Sequence, residues 1–392
     1  MSSPVNSTKP RLEAIDIIRG VALLGVLIAN MRFFNTSSLA IALHIDPWTS
    51  TADRVVKKAV ELLVAGKFIS IFSFLFGFGV VMMRDNALAQ GLPFKGSLTR
   101  RLLALMAFGL LHGLLIWYGD ILFHYALLGL LLIPLAGRKP KTLLVCSMIL
   151  VALVPCLLLL TNSPGPFPVT PELETIITNH SYLYGEAPYS LLAMQRVNDW
   201  VGSFFNQLTF YPHLLGMFLL GSYFAKRRLL HDIPGNRAVL RRLCVWIGGA
   251  FAILSALTFL PVQKWADLAM IASWPLGAVF SLTALALLLQ TKRGQIWLRP
   301  FGSVGRMAFT NYILQSVIGT LIFYSYGLGL HGQVGHATGL LLSLGIFAVQ
   351  MLLSRLWLQR FRMGPLERIW RALTYGKHHR SPLTAEPRGT SA

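Results

Sequence analysis

Long apolar stretches recur along almost the whole chain, and they limit its possible folds more than any other feature. At about 20 apolar residues per membrane crossing, the chain holds about ten such stretches. With 54% hydrophobic and only 13% charged residues, it is too apolar for a soluble globular protein of its length. The sequence therefore predicts an all-α, polytopic membrane bundle of about ten transmembrane helices. The expected spans are 14–34, 60–83, 101–118, 120–136, 142–161, 203–225, 243–262, 266–289, 307–326 and 337–358.

The placement of lysine and arginine predicts the orientation of the bundle. Basic residues are concentrated before the first span, in every second connection and after the last span. The alternate connections hold few of them, and the long connection 162–202 is acidic. Because cytoplasmic loops are enriched in Lys and Arg, both termini are expected in the cytoplasm and loop 162–202 outside.

This topology divides the chain into three parts. Residues 1–13 form a cytoplasmic segment, residues 14–358 form the transmembrane bundle, and residues 359–392 form a basic cytoplasmic tail. Within the tail, residues 365–375 alternate apolar and basic side chains at helical spacing, which predicts a short amphipathic helix on the membrane surface. Because the first span carries Asp16 and Arg19, it is expected to remain in the protein and not to be removed as a signal peptide.

Charge and cysteine content exclude other classes of protein. A net charge of +20 would suggest a nucleic-acid partner for a soluble chain. Here the basic residues lie between apolar runs, so membrane lipids are the expected partners and nucleic acid is not. Cys146, Cys156 and Cys244 lie in apolar stretches without metal-ligand spacing, which indicates neither a disulfide framework nor a zinc site. No metal and no bound cofactor are expected, and the oligomeric state stays open.

Ionisable side chains within the spans are the first candidates for function, because each costs at least a few kcal/mol in hydrocarbon. Asp16 and Arg19 lie three residues apart and can form an intrahelical pair. Arg19 and Asn30 lie about three helical turns apart, on one face and roughly 16 Å from each other along the axis. This stripe indicates either a substrate path or the crowded centre of the bundle.

His112, Asp120 and His124 are grouped at the outer ends of the third and fourth spans. Asp120 can cap the fourth helix, and His124 follows it at i+4. A histidine oriented by a carboxylate can act as a base, so His112 and Asp120 are the candidate catalytic residues. The alternative for His112 is a hydrogen bond between helices.

Other polar residues in the spans have two interpretations. Lys67 either faces a ligand or extends its side chain along the helix toward water. Asn311 and Gln315 belong to an unusually polar start of the ninth span and either join helices or line a cavity. The candidates for binding substrate or acyl-CoA are Asp16, Arg19, Asn30, Lys67, His124, Asn311 and Gln315.

Five segments carry a resemblance to the YeiB family of bacterial inner-membrane proteins. They appear in the order of that family and are distributed over nearly the whole chain. The segments are LEAIDIIRGVALLGVLIAN at 12–30, GKFISIFSFLFGFG at 66–79, RLLALMAFGLLHGLLIWYGDILFHYALL at 101–128, residues 305–316, and GPLERIWRALTY at 364–375.

The YeiB family is itself similar to a superfamily of transmembrane acyltransferases, which move an acyl group from cytoplasmic acyl-CoA to an acceptor, often a sugar, on the far side. In the acyltransferase-3 branch, a basic residue is followed along the first helix by a functional histidine. Arg19 fills the first position, but Asn30 stands at the second. The heparan N-acetyltransferase branch has asparagine there and a histidine in the first external loop, where this chain has His44.

The resemblance implies a membrane acyltransferase that uses acyl-CoA as co-substrate and a cell-envelope glycan as acceptor. Cytoplasmic arginines would hold the CoA phosphates, and His112 with Asp120 would activate the acceptor hydroxyl. Two alternatives stay open: a transporter or flippase that uses the same buried charges, and a scaffold or sensor that acts through the basic tail.

Overall fold

The computed structural model describes residues 13–43, 45–160 and 170–375. These residues form α-helices joined by short turns, and no β-strand is present within them. The helices are α1 (Glu13–Asn35), α2 (Ser38–Ala42), α3 (Thr51–Leu63), α4 (Lys67–Ala89), α5 (Phe94–Leu115), α6 (Leu122–Leu135), α7 (Pro140–Leu160), α8 (Pro171–Gly185), α9 (Tyr189–Leu208), α10 (Tyr211–Lys226), α11 (Arg237–Leu257), α12 (Gln263–Leu288), α13 (Lys292–Leu298), α14 (Phe301–Arg306), α15 (Ala308–Phe323), α16 (His336–Arg360) and α17 (Pro365–Tyr375).

Seven helical stretches within the described residues are long and apolar enough to cross a membrane. They comprise α1, the stretch that contains α4, and α5, α7, α11, α12 and α16. The other three expected spans fall on the shorter helices α6, α10 and α15, of 14, 16 and 16 residues. Each expected span therefore overlaps at least one helix, and the all-α membrane bundle is confirmed.

The second expected span, 60–83, is displaced toward the C-terminus. The chain breaks at Gly66, whose φ of 74° lies in the left-handed region that favours glycine, and α4 starts at Lys67. The preceding helix α3 has polar and charged residues on one face and contacts the start of α16. It is a separate amphipathic helix, on the side of the bundle that the expected topology places outside.

The sixth expected span, 203–225, is also interrupted, because it comprises the end of α9 and most of α10. Pro212 has no N–H to continue a helix from α9, and it occupies the first turn of α10, where proline is tolerated. The expected external loop 162–202 contains α8 and most of α9, so the described part of this loop is largely helical.

The helices α4 and α10 cross closely at the centre of the bundle. A Cβ atom added at Gly221 would overlap the carbonyl oxygen of Phe74, and one added at Gly77 would overlap that of Phe218. Ser222 donates a hydrogen bond from Oγ to the Gly77 carbonyl, 3.1 Å away. Small residues thus let two backbones touch, which is how membrane helices gain dispersion energy without a hydrophobic driving force.

The amphipathic helix predicted in the tail is present as α17, and it is fixed to the bundle by two side chains. The Glu367 carboxylate accepts hydrogen bonds from the N–H groups of Phe309 and Thr310, at 2.8 and 3.1 Å, and so caps α15. Trp370 donates from Nε1 to the Arg101 carbonyl at 2.9 Å, while the Arg101 guanidinium lies 3.7 Å from the centre of its ring. These contacts hold α17 against the N-terminal half of α5.

Candidate active site

A cavity of about 3500 Å³ lies within the bundle. Ordinary small-molecule sites measure roughly 300–1,000 Å³, so this cavity can take a large ligand or two ligands at once. Its lining runs from α17 and the start of α5, at the expected cytoplasmic side, to α9 and the start of α16, at the expected outer side. It therefore extends through the thickness of the bundle.

The end of the cavity at the expected cytoplasmic side, called the cytoplasmic end below, is strongly basic. Among the described residues that line this end, Glu367 is the only acidic one, and its carboxylate is already engaged in capping α15. Guanidinium groups bind phosphate through paired N–H donors, so this end is suited to a polyanionic ligand. The lining arginines there are Arg19, Arg100, Arg101, Arg306, Arg362, Arg368 and Arg371.

The first helix supplies polar groups to this cavity at two depths, as the sequence predicts. Arg19 donates to the Asp16 carboxylate at 3.1 Å, so the expected intrahelical pair is present, and the Gly305 carbonyl lies 3.4 Å away. Arg19 and Asn30 both line the cavity. Asp16 is buried beside Arg19 and does not line it. The polar stripe of α1 therefore faces one continuous space.

His112 and Asp120 form a buried pair at the wall of the outer half. The His112 Nδ1 atom lies 2.9 Å from Asp120 Oδ1, and both side chains are almost completely buried. Asp120 Oδ2 accepts the Phe123 N–H at 2.7 Å, so the same carboxylate also caps α6. An ionised carboxylate only accepts hydrogen bonds, so with Asp120 ionised a neutral His112 carries its proton on Nδ1 and its lone pair on Nε2.

The two members of this pair differ in their access to the cavity. Asp120 lines it, together with Trp117 and Tyr312, whereas His112 lies behind these side chains. Ring centres of Tyr312 and Trp117 are 5.3 and 6.2 Å from that of His112. The Nε2 atom is buried without a hydrogen-bond partner in the described part of the chain. Such an atom in a buried site calls for a functional explanation.

The structure places the other candidate residues away from the cavity lining. His124 is hydrogen bonded to the Tyr211 hydroxyl at 2.6 Å, and Lys67 donates to the Glu61 carbonyl at 2.8 Å. Asn311 donates to Ser354 Oγ at 2.9 Å, and Gln315 to Gln350 Oε1 at 2.9 Å, so both join α15 to α16. His44 lies outside the described residues.

Comparison with known proteins assigns the chain to a family. A family model described as "Protein of unknown function (DUF418)" matches residues 224–377. The uncharacterized protein YxaH of Bacillus subtilis is 37% identical over 94% of this chain and 95% of its own length. The uncharacterized protein YeiB of Escherichia coli is 31% identical over 93% of this chain and 96% of its own. The chain belongs to the YeiB family.

A third relative matches the chain over a similar length. An uncharacterized 39.9 kDa protein from the amylase 3′ region of Bacillus acidopullulyticus is 28% identical over 94% of both chains. The matched family model begins within α10 and ends after α17, so it contains the cytoplasmic arginines of α14 and α17. The His112–Asp120 pair lies before that segment, within the length that the relatives share with this chain. The protein is thus a multi-pass membrane protein of the YeiB family.

Sequence reasoning missed His213 on α10, one of three histidines that line the cavity within the described residues. Its Nε2 lies 2.7 Å from Ser70 Oγ on α4, and His213 lines the cavity. The two residues are 143 positions apart, so no local spacing relates them. The one available signal was a histidine near the start of an apolar stretch, which by itself marks a functional candidate.

A charged cluster at the outer end gives this YeiB-family protein a predictable acid sensitivity. Asp46 lies 2.8 Å from both Lys57 Nζ and His336 Nε2. Partial burial raises the pKa of its carboxyl, but the hydrogen bonds from Lys57 and His336 lower it by more, from 3.8 to about 2. The folded state therefore gains stability from this ionised carboxylate above pH 4, and loses it as the pH falls through about 2.

We expect the melting temperature of Asp46→Asn to lie below that of the wild type at pH 5–7, and the two values to converge below pH 2. The physical reason is that protonated Asp46 and asparagine both lack the charge that Lys57 and His336 contact. Light scattering during thermal unfolding of detergent-purified protein measures the difference. A constant difference across this pH range would show that the ionised carboxylate is not what stabilises the cluster.

Proposed function

We propose that this YeiB-family protein is an acyltransferase of the bacterial inner membrane. It would move an acyl group from cytoplasmic acyl-CoA to an acceptor, such as a cell-envelope glycan, at the periplasmic side. The observation that carries the proposal is a single cavity that joins seven arginines at one end to a buried His–Asp pair in its outer half. This arrangement supplies a phosphate site in the cavity and a base directly behind the cavity wall.

The charge of the cavity lining indicates the end at which the acyl donor would bind. Guanidinium groups of the cytoplasmic end bind the phosphates of CoA, and the pantetheine arm extends up the cavity. Arg101 and His112 lie eleven residues apart on α5, or roughly 16 Å along the helix axis. The thioester can thus approach the His112–Asp120 pair while the nucleotide stays at the cytoplasmic end.

The reaction needs one proton acceptor. His112 Nε2 takes the proton of the acceptor hydroxyl as its oxygen attacks the thioester carbonyl. The C–S bond then breaks, and the leaving thiolate takes the proton back from the imidazolium. Asp120 stays ionised, keeps the imidazole in the required tautomer and stabilises its positive charge. Because His112 lies behind the cavity wall, Trp117 or Tyr312 must shift for the acceptor to reach Nε2.

A transporter is the second candidate, favoured by a lining that reaches both ends of the bundle. In that case the arginines and the His112–Asp120 pair would bind a substrate and exchange protons with it. Substrate-dependent proton flux into liposomes that hold the purified protein, without acyl transfer, would support the transporter over the acyltransferase.

The deciding experiment is thermal stabilisation of the purified protein by acyl-CoA. At about 100 times its Kd, a ligand stabilises the folded state by roughly 2.7 kcal/mol, which raises the melting temperature by several degrees. We expect this rise for the wild type and a much smaller one for Arg100→Gln combined with Arg368→Gln, because both residues line the basic end.

Arg84→Gln combined with Arg241→Gln is the matched control, because these cytoplasmic arginines do not line the cavity. It removes the same charge and should keep the full response. Free CoA and ATP test whether the acyl group matters, and radiolabelled acyl-CoA tests transfer to envelope glycans. No shift at saturating acyl-CoA would overturn the proposed function.

A further inference from the structure

His213 has a fixed tautomer, which can be deduced from its neighbours. Ser70 Oγ lies 2.6 Å from the Gly66 carbonyl and 2.7 Å from His213 Nε2. A hydroxyl has one proton, and the carbonyl can only accept, so Ser70 donates to Gly66. His213 must therefore donate from Nε2 to Ser70, and its Nδ1 carries a lone pair.

No described residue donates a hydrogen bond to that lone pair, although the side chain is buried and lines the cavity. Polar atoms of buried side chains normally have a partner, and for Nδ1 a partner can approach from the cavity. A ligand group with an N–H or O–H can be that partner. Since Ser70 and His213 lie near the outer ends of α4 and α10, this ligand occupies the outer half of the cavity.

Aromatic rings surround His213. The indole of Trp274 on α12 is 5.9 Å from the His213 ring and 5.6 Å from that of Phe210, centre to centre. Gly66 lets this indole approach, because a Cβ there would overlap the Trp274 ring. Trp274 and Phe210 both line the cavity, so this wall offers flat apolar faces next to one hydrogen-bond acceptor.

The rest of this wall is polar but uncharged. The segment 202–214, from α9 into α10, contributes only neutral lining residues: Gly202, Ser203, Asn206, Gln207, Thr209, Phe210, His213 and Leu214. The charged lining residues of the outer half, such as Arg32, Glu61 and Asp199, come from α1, α3 and the middle of α9. A ligand on the His213 wall is therefore selected by hydroxyl or amide groups and by a ring face, and not by charge.

We propose that Phe210, His213 and Trp274 form the subsite that holds the acceptor, and that its ligand is a neutral ring with hydroxyl groups, such as a hexose unit. His213 Nδ1 accepts a hydrogen bond from a hydroxyl that does not react, and Trp274 and Phe210 pack against the ring. This inference rests on the proposed acyltransferase for the role of the ligand. His213 is a binding residue here, and His112 remains the base.

Carbethoxylation of histidine with diethyl pyrocarbonate tests the subsite without any acyl transfer, because the reagent attacks an unprotonated imidazole nitrogen. Peptide mass spectrometry of the full-length protein reports the rate at each histidine. We expect His213 to be modified. We expect 100 mM N-acetylglucosamine or methyl glucoside to lower the rate of this modification at least fivefold. Glucuronate at the same concentration and His124 in the same sample are the controls, and neither should show this protection.

Kinetics of variants give the second readout. His213→Asn should raise the acceptor KM about tenfold with little change in the KM for acyl-CoA, and Trp274→Phe should retain more acceptor affinity than Trp274→Ala. Equal protection by acyl-CoA alone, or none by neutral sugars, would overturn the subsite. Protection by sugars without any acyl-CoA response would instead uphold the subsite and overturn the acyltransferase.

Discussion

Replacing Gly221 with alanine is expected to lower the melting temperature of the purified protein by roughly 5–10 °C. The added Cβ would overlap the Phe74 carbonyl oxygen, and a backbone atom cannot rotate away as a side chain can. To remove this overlap, α4 and α10 must move apart along their whole contact. Overpacking typically costs about 1–3 kcal/mol, and a loss of dispersion contacts along the crossing adds to it.

Gly79→Ala is the matched control for this prediction. Gly79 lies on α4 two residues beyond Gly77, yet no atom lies within 4 Å of a Cβ built there. This variant should match or slightly exceed the stability of the wild type, because alanine is the better helix former by up to about 1 kcal/mol.

The reciprocal contact at Gly77 adds a further test. Gly77→Ala should resemble Gly221→Ala, and the double variant should lose less than the sum of both, since helices that have already separated tolerate a second Cβ. Equal melting temperatures for Gly221→Ala and Gly79→Ala would refute the close crossing.

Asp120→Asn is expected to lower the acyl-transfer rate by about 10² to 10⁴-fold while it leaves the fold largely intact. Asparagine can still accept the Phe123 N–H that caps α6. When the side-chain oxygen accepts the Phe123 N–H, the side-chain NH2 group faces His112 and donates to it. The imidazole must then accept at Nδ1 and carry its proton on Nε2. The base is then lost although the volume of the site is unchanged.

Asp120→Ala separates the structural role of this carboxylate from the chemical one. It leaves the Phe123 N–H and the His112 Nδ1–H without an acceptor, at about 1–3 kcal/mol for each buried group, and should lower both rate and melting temperature. His124→Asn serves as control, since His124 contacts Tyr211 and does not line the cavity. An Asp120→Asn protein that transfers acyl groups at more than half the wild-type rate would exclude His112 as the base.

The sequence predicts best those features that depend on nearby residues. Apolar runs locate the membrane helices because bilayer thickness sets their length. The His112–Asp120 pair could be predicted because only eight residues and one turn separate its members. The helix α17 could be predicted from the helical periodicity of its apolar residues. Helix breaks are harder to predict: Gly66 and Pro212 each interrupt a stretch that is apolar enough on average to read as one span, and hydropathy averages over such single residues.

Contacts between distant segments could not be predicted in the same way. Asn311 and Gln315 have the polarity of a cavity lining, and only the position of Gln350 and Ser354 on α16 shows that they join helices. Ser70 and His213 likewise depend on the packing of α4 against α10. A single sequence gives the depth of a polar residue in the bundle, but not the direction in which its helix turns it.

The shortness of α6, next to the cavity, has a consequence for the surrounding lipid. With 14 residues, this helix extends over roughly 21 Å, against a hydrocarbon thickness of about 30 Å. Lipids that contact its exposed side, which includes Leu131, must compress to cover the apolar surface. The protein would thus sit in a locally thinned patch of bilayer, where the water on the two sides comes closer together and a group passing through the bundle has less distance to travel.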